Sequence, residues 1–356
     1  MSTTNLAAKL APTTTSRTPR LMGSDDGLEQ TEALMLELCS GARLDRLGAM
    51  LWEHVASGGK RLRARLALAA TVAMGGNRKD AVPWAAACEL LHNATLVHDD
   101  VQDQDKVRRG REALWVRHGV AQAINAGDLA LMLPTLALRK AHGLSGERRW
   151  MLAEAIASHA EEVVRGQALE LDLLSRQQVD WRHYAEAARG KTSALFSLPV
   201  FGAAIVAGRS PDEARELADA FGEIGLLFQI QDDVLDLYGD KGRGCPGSDL
   251  REGKVSALVV EHLALHPQDE EWLIEVLEAP RDETPERAVE HAIECFRTGG
   301  ALDAVWRRLE SIQDRISDTP AMARHHRLHA VALNLVGASL APIAHTHPNP
   351  GAGGPT

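Results

Sequence analysis

Residues 224–237, IGLLFQIQDDVLDL, are apolar at helical spacing yet carry Asp232, Asp233 and Asp236. Burying three unpaired carboxylates in such a helix would cost several kcal/mol at least, so they must meet a metal ion or line a wet cavity. The same spacing recurs far upstream, in LHNATLVHDDVQDQDKVRRG at 91–110. On a helix Asp99 and Asp103 share one face with Asp100 beside them, and like charges this close are destabilising unless a cation sits between them.

Magnesium suits both clusters: a hard ion that prefers oxygen ligands and is usually held by one or two carboxylates together with substrate phosphates. Arg108 and Arg109 follow the first cluster directly, and guanidinium forks are the usual partners of phosphate oxygens. The pattern describes a diphosphate site.

Ala, Leu, Glu and Arg dominate the 356 residues, and no run alternates with period two for long. That composition predicts an all-α chain, long enough for one large helical domain. The formal net charge is −10, and no Lys/Arg block is long enough for a nucleic-acid or membrane-surface patch. Cys39, Cys88, Cys245 and Cys295 lack CxxC spacing, which fits free thiols in a reducing, cytoplasmic setting. No uninterrupted apolar run reaches eighteen residues, so no transmembrane segment is expected.

Residues 1–26 are expected to be a disordered arm, 27–343 a single helical domain, and 344–356 a disordered Pro/Gly tail. Within the domain, helices are expected over 28–55, 81–101 with Pro83 in its first turn, 120–141 with a kink at Pro134, and 145–174. His98, beside the first cluster, reads as a structural residue, and Gly127 as a point of close approach. Gly58 and Gly59 precede Lys60, Arg61 and Arg63 at a helix start, an anion site in which backbone N–H groups and side chains act together. Lys191 and Thr192 follow Gly190 at the head of another apolar helix; they are no P-loop, because Ala185 stands where the first glycine is required. Residues 239–253 form a Gly-rich charged loop, the best placed segment for a mobile lid, with Lys254 after it. Four or five amphipathic helices fill 257–340.

In combination GGKRLR, HDDVQDQDKVRRG, GQALEL, KTSALF and FQIQDDVLDLYGD with DLREGK make the chain resemble the trans-isoprenyl diphosphate synthases, the polyprenyl synthetase family, over 28–340. The resemblance is to the short-chain farnesyl and geranylgeranyl members. It implies an isoprenoid-synthase-type helical bundle around a deep cavity, a homodimer, and head-to-tail condensation of isopentenyl diphosphate onto an allylic diphosphate (dimethylallyl, geranyl or farnesyl).

It further implies magnesium, three ions with the diphosphate bound, on Asp99, Asp103, Asp232 and Asp236, with Asp100 and Asp233 completing the catalytic motifs. Arg108, Lys191 and Lys254 would add charge, and oxygens of Thr192 and Gln229 would face the allylic cation. Lys60, Arg63, His92 and Arg109 would hold isopentenyl diphosphate. The family often has a lysine four or five residues before the position of Asp249; here Gly244 and Cys245 stand there, with Lys241 or Arg243 as substitutes.

A helix turn, about 5.4 Å, matches roughly one isoprene unit. Ala94 and Thr95, one turn from Asp99, are small, so the cavity is expected to run on to Leu91, or to Met132 or Leu133 of the facing helix. That length points to geranylgeranyl diphosphate, with farnesyl or longer products as alternatives. A class I terpene cyclase and a non-catalytic partner subunit are the competing readings, and the six retained aspartates count against both.

Overall fold

The computed structural model describes residues 26–41, 45–175, 179–239, 246–281 and 283–348. Helices follow one another as α1 (Asp26–Ser40), α2 (Arg46–Ala56), α3 (Leu62–Ala73) and α4 (Arg78–Gln102), then a short hairpin of β1 (Val107–Arg108) and β2 (Arg111–Glu112). After it come α5 (Leu114–His118), α6 (Val120–Ala137), α7 (Gly146–Asp172), α8 (Trp181–Ala188), α9 (Ala194–Val206) and α10 (Pro211–Tyr238). The C-terminal part is α11 (Ser248–Arg251), α12 (Ala257–Leu265), α13 (Glu270–Glu278), α14 (Glu286–Thr298), α15 (Ala301–Ser317), α16 (Pro320–Arg324) and α17 (His326–Leu340).

The starts are written in the sequence. Asp45, Ser145, Asp180, Ser210 and Ser256 each turn a side-chain oxygen to the N–H three residues on, satisfying a donor that the first turn leaves open. The bundle is organised on α4 and α10, which carry the two aspartate clusters; α4 packs along α6 and α3, and α10 along α9. Trp84, fully buried on α4, donates its indole N–H to the Pro199 carbonyl at 3.0 Å. Gly202 on α9 makes room for that ring, since a Cβ there would lie 2.0 Å from it.

A second close crossing shapes the cavity. A Cβ on Gly166 of α7 would lie 2.1 Å from the Lys191 nitrogen, and one on Gly225 of α10 would lie 2.5 Å from the Ser193 Cα. Both touch the turn Arg189–Ser193, a π-helical bulge through which α8 continues into α9. Lys191 and Thr192 therefore do not open a helix, contrary to the sequence expectation, and offer no free backbone N–H cradle. Gly190 is there for close approach, its own Cβ position being 2.7 Å from the Gly166 Cα.

Other expectations are corrected too. The helix expected over 28–55 breaks at Gly41, where φ is +58°, and restarts at the Asp45 cap. Helix α4 begins at Arg78 under an Asn77 cap, so Pro83 lies in its second turn. The tail is packed as far as Pro348: the Tyr238 carbonyl bonds His345 Nε2 at 2.9 Å, and His347 stands 4.6 Å from the Trp306 ring. Val120–Lys140 and His326–Thr346 reach membrane-crossing length and hydropathy, although no uninterrupted apolar run exists; in the bundle 39% and 44% of these windows are buried. The expected N-terminal arm, the end of the tail, and Lys241, Arg243, Gly244 and Cys245 lie outside the described residues.

The α7 crossing yields a test of the packing. Gly166→Ala should lower the unfolding free energy by about 2–3 kcal/mol in urea titrations, whereas Gly146→Ala, whose methyl meets nothing within 4 Å, should not lower it.

Candidate active site

Asp99 lies in the last turn of α4 and Asp103 caps its C-terminus; Asp232, Asp233 and Asp236 lie in the last two turns of α10. Between them is a cavity of about 210 Å³ lined by Asp99, Glu170, Lys191, Gln229, Asp232 and Lys254, with Leu96 below Asp99. A wider surface groove, about 930 Å³, runs between α10 and α15 and contains none of the motif residues.

Burial, together with the charges of Asp103 and Glu170, pushes the Asp99 carboxyl up to about 6 despite Lys191 and Lys254 nearby. Lys191 is paired with Glu170, and Lys254 donates to Asp103 at 2.8 Å. Both ammonium groups are held charged by these carboxylates against the cost of burial. Asp232 faces the cavity, and the buried Asp236 accepts from the Asp249 N–H at 3.0 Å. Among the described residues no three His, Cys, Asp or Glu side chains already converge at ligand spacing. The oxygen donors nevertheless fit a hard divalent ion, because Asp99 is a half-buried carboxylate lining the cavity and crowded by Asp103 and Glu170.

Asp100 and Asp233 have different partners. Asp100, 2% exposed, accepts from Arg108 Nε at 2.7 Å. Asp233 accepts from Tyr184 OH (2.7 Å), the Ala257 N–H (2.7 Å) and Gln229 Nε2 (3.0 Å), and burial pushes it up to about 6. Gln229 in turn accepts the Thr192 hydroxyl at 2.7 Å, so its amide orientation is fixed from both ends. Tyr184, absent from the sequence-derived site, is the unforeseen member of this relay.

A second, cationic cluster lies about two turns back along α4, around His92 and Asn93. The hairpin turn has Arg109 at φ +54° and Gly110 at φ +74°, the paired positive values of a type I′ turn. It sends Arg108 to the aspartates and Arg109 the other way, to Ser57 Oγ (3.3 Å) and Asn93 Oδ1 (3.4 Å). Gly59 is needed there, since a Cβ would lie 3.0 Å from the Arg109 guanidinium carbon.

Around this pocket His54 Nε2, Arg61 Nη1, Arg63 Nε and His92 Nδ1 are all buried without a hydrogen-bond partner. Burial and the arginines depress His54 to about 3 and push His92 well down. Arg63 lies 5.0 Å over the Phe196 ring, and burial lowers it to about 10. So many unanswered donors and cations describe a pre-formed anion site. Lys60 is exposed at its edge. Arg61 is the surprise within GGKRLR: it is 4% exposed and bonded to Glu32 and the Val55 carbonyl, holding the pocket's wall.

The remaining expected residues divide. His98 turns toward α6, 3.3 Å from Asp128, in the space that Gly127 leaves. Ala94, Leu91 and Leu133 are buried, and Thr95 donates to the His92 carbonyl at 2.8 Å. Met132 is 60% exposed and cannot close the cavity of its own chain; it sits on the outer face of α6.

The all-helical bundle thus brings two carboxylate motifs to one cavity, with a cluster of arginines and histidines beside it. The polyprenyl synthetase family model matches residues 45–296. The chain is 38% identical over 258 residues to a short chain isoprenyl diphosphate synthase of Methanothermobacter thermautotrophicus, covering 70% of this chain and 77% of that one. It is 35% identical over 281 residues to a geranylgeranyl diphosphate synthase of Mycobacterium tuberculosis, 78% and 79% of the two chains. Its fold superposes with a TM-score of 0.80 on a polyprenyl synthase from Caulobacter crescentus complexed with calcium and isoprenyl diphosphate, at 26% identity over 93% of this chain and 99% of that one. The chain belongs to the polyprenyl synthetase family. It is a trans-prenyltransferase that builds prenyl diphosphates.

The depressed histidine gives a pH signature. His54 stays neutral in the fold down to about pH 3, whereas an unfolded histidine takes up a proton near 6.5. The unfolded state thus binds more protons in this window, and stability is lost as pH falls below 6.5. Urea unfolding from pH 8 to 4 should show this, and His54→Gln should flatten the slope by up to one proton, about 1.4 kcal/mol per pH unit.

Proposed function

We propose that this prenyltransferase forms geranylgeranyl diphosphate and binds its two diphosphates by opposite means. The observation that carries the reading is the pairing of a carboxylate-lined cavity with a neighbouring cluster of arginines and histidines that has buried, unpartnered nitrogens. The allylic diphosphate belongs in the first, and isopentenyl diphosphate, held by Lys60, Arg63, His92 and Arg109, in the second.

Magnesium, in up to three ions on Asp99, Asp103, Asp232 and Asp236, would supply the positive charge that makes the allylic diphosphate a leaving group. Lys191, Lys254 and Arg108 add fixed charge beside it. The Thr192–Gln229–Asp233–Tyr184 relay holds an amide oxygen and a hydroxyl against the allylic cation. The double bond of isopentenyl diphosphate attacks that cation, and the departing diphosphate takes the proton that is lost, so no side-chain base is required.

Product length follows from α4. Ala94 and Thr95 leave room one turn from Asp99, and Leu91, fully buried, closes the next. Exposed Val120, Ile124, Met132 and Leu136 on α6, with Trp150, Val164 and Leu171 on α7, support a homodimer through these helices. The free thiols of Cys39, Cys88 and Cys295 suit a reducing cytoplasm.

Purified protein given isopentenyl diphosphate, magnesium and each short allylic starter should release a single twenty-carbon product by mass spectrometry. Asp99→Ala and Asp232→Ala should each lower turnover by at least about a hundredfold without losing helical signal. Near-normal turnover in both variants would sink the site assignment; a different product length would sink only the Leu91 floor.

A further inference from the structure

Arg281, in the turn after α13, reaches a place that no sequence motif foretold. Its Nη1 donates to the Asp103 carbonyl at 2.8 Å and lies 3.3 Å from Asp105 Oδ1, while its Nη2 lies 2.8 Å from Glu252 Oε1. Glu252 turns its other oxygen to Lys254 Nζ at 2.8 Å, and Lys254 also holds Asp103 at 2.8 Å. The Glu252 side chain is only 7% exposed, and that of Asp105 17%. Gly253 seats the loop: its φ is +70°, and a Cβ there would lie 2.7 Å from the Leu277 carbonyl at the end of α13.

Four carboxylates, Asp100, Asp103, Asp105 and Glu252, thus share three cations, Lys254, Arg281 and Arg108, the last bonded to Asp100 and 3.5 Å from Asp105. Lys254 is shared between Asp103 and Glu252. Arg281 answers the other oxygen of Glu252, which also accepts the Ser248 hydroxyl at 2.7 Å, and removing Arg281 would leave a largely buried carboxylate with Lys254 as its one cationic partner. Such a carboxylate draws its remaining partner closer.

We propose that Arg281 and Glu252 are positioning residues: by sharing the Glu252 charge, Arg281 leaves Lys254 available to the allylic diphosphate. This rests on the reading of Lys254 as an allylic-diphosphate ligand.

The test is a kinetic cycle on the full-length enzyme, with melting temperatures recorded alongside. Arg281→Ala should raise KM for the allylic substrate about tenfold and leave KM for isopentenyl diphosphate within about twofold. Arg281→Lys should recover much of the loss. In Arg281→Ala/Glu252→Gln the unbalanced carboxylate is gone, so the allylic KM should return toward the wild-type value. An Arg281→Ala enzyme with unchanged allylic KM, or with both KM values raised together, overturns the proposal, as does a double variant no better than the single one. Lys254→Ala separates the two levels: an unchanged allylic KM there refutes the Lys254 reading itself, whereas a raised value with a silent Arg281→Ala refutes only the positioning role.

Discussion

A carboxylate inside a helical bundle has to be answered by positive charge, and this fold is arranged around that requirement. Asp99, Asp100, Asp103 and Asp233 all occupy helix ends packed against apolar neighbours, and each has a different answer. Arg108 takes Asp100, Lys254 takes Asp103, and three neutral donors take Asp233. The carboxyls of Asp99 and Asp233 are both pushed up to about 6, but Asp99 has only the charges of nearby lysines where Asp233 has three bonded donors. On the proposed reading, that point would attract a hard cation, and the cation a diphosphate. Structure and chemistry share one cause.

Two electrostatic environments meet along α4. Around Asp99 the side chains are acids tempered by lysines; around His92, burial first and then the charges of Arg61, Arg63, Arg108 and Arg109 hold His54 and His92 neutral. The two-residue turn at Arg109 and Gly110 divides adjacent arginines between these sites. On the proposed reading, two substrates carrying the same diphosphate group would be told apart because one site needs an added cation and the other carries fixed ones.

Much of this was legible in the sequence, since the strongest signals are local. Aspartates at helical spacing and the Gly58–Gly59 pair before Lys60 act through neighbours in the chain. What was missed depends on long-range contact. Gly190 looked like a helix break, but its role is set by Gly166 on another helix, so the π turn at Lys191 was read as a helix start. Met132 was assigned inward because hydropathy does not say which side of α6 faces the bundle. Tyr184 and Arg281 carry no motif of their own, and the GGKRLR motif does not show that Arg61 turns to Glu32; these partners are 29 to 178 residues away. The tail was judged by its prolines and glycines, while Trp306 supplies the surface that holds His347.

The most direct test of the charge-separated account is calorimetric titration of the purified enzyme with isopentenyl diphosphate and, separately, with a non-ionisable thio analogue of geranyl diphosphate, each with magnesium and with EDTA. Isopentenyl diphosphate should bind alike in both conditions, and the analogue only when magnesium is present. An analogue that binds equally well in EDTA, or isopentenyl diphosphate that requires magnesium, would contradict the assignment of one metal-dependent and one arginine-built diphosphate site.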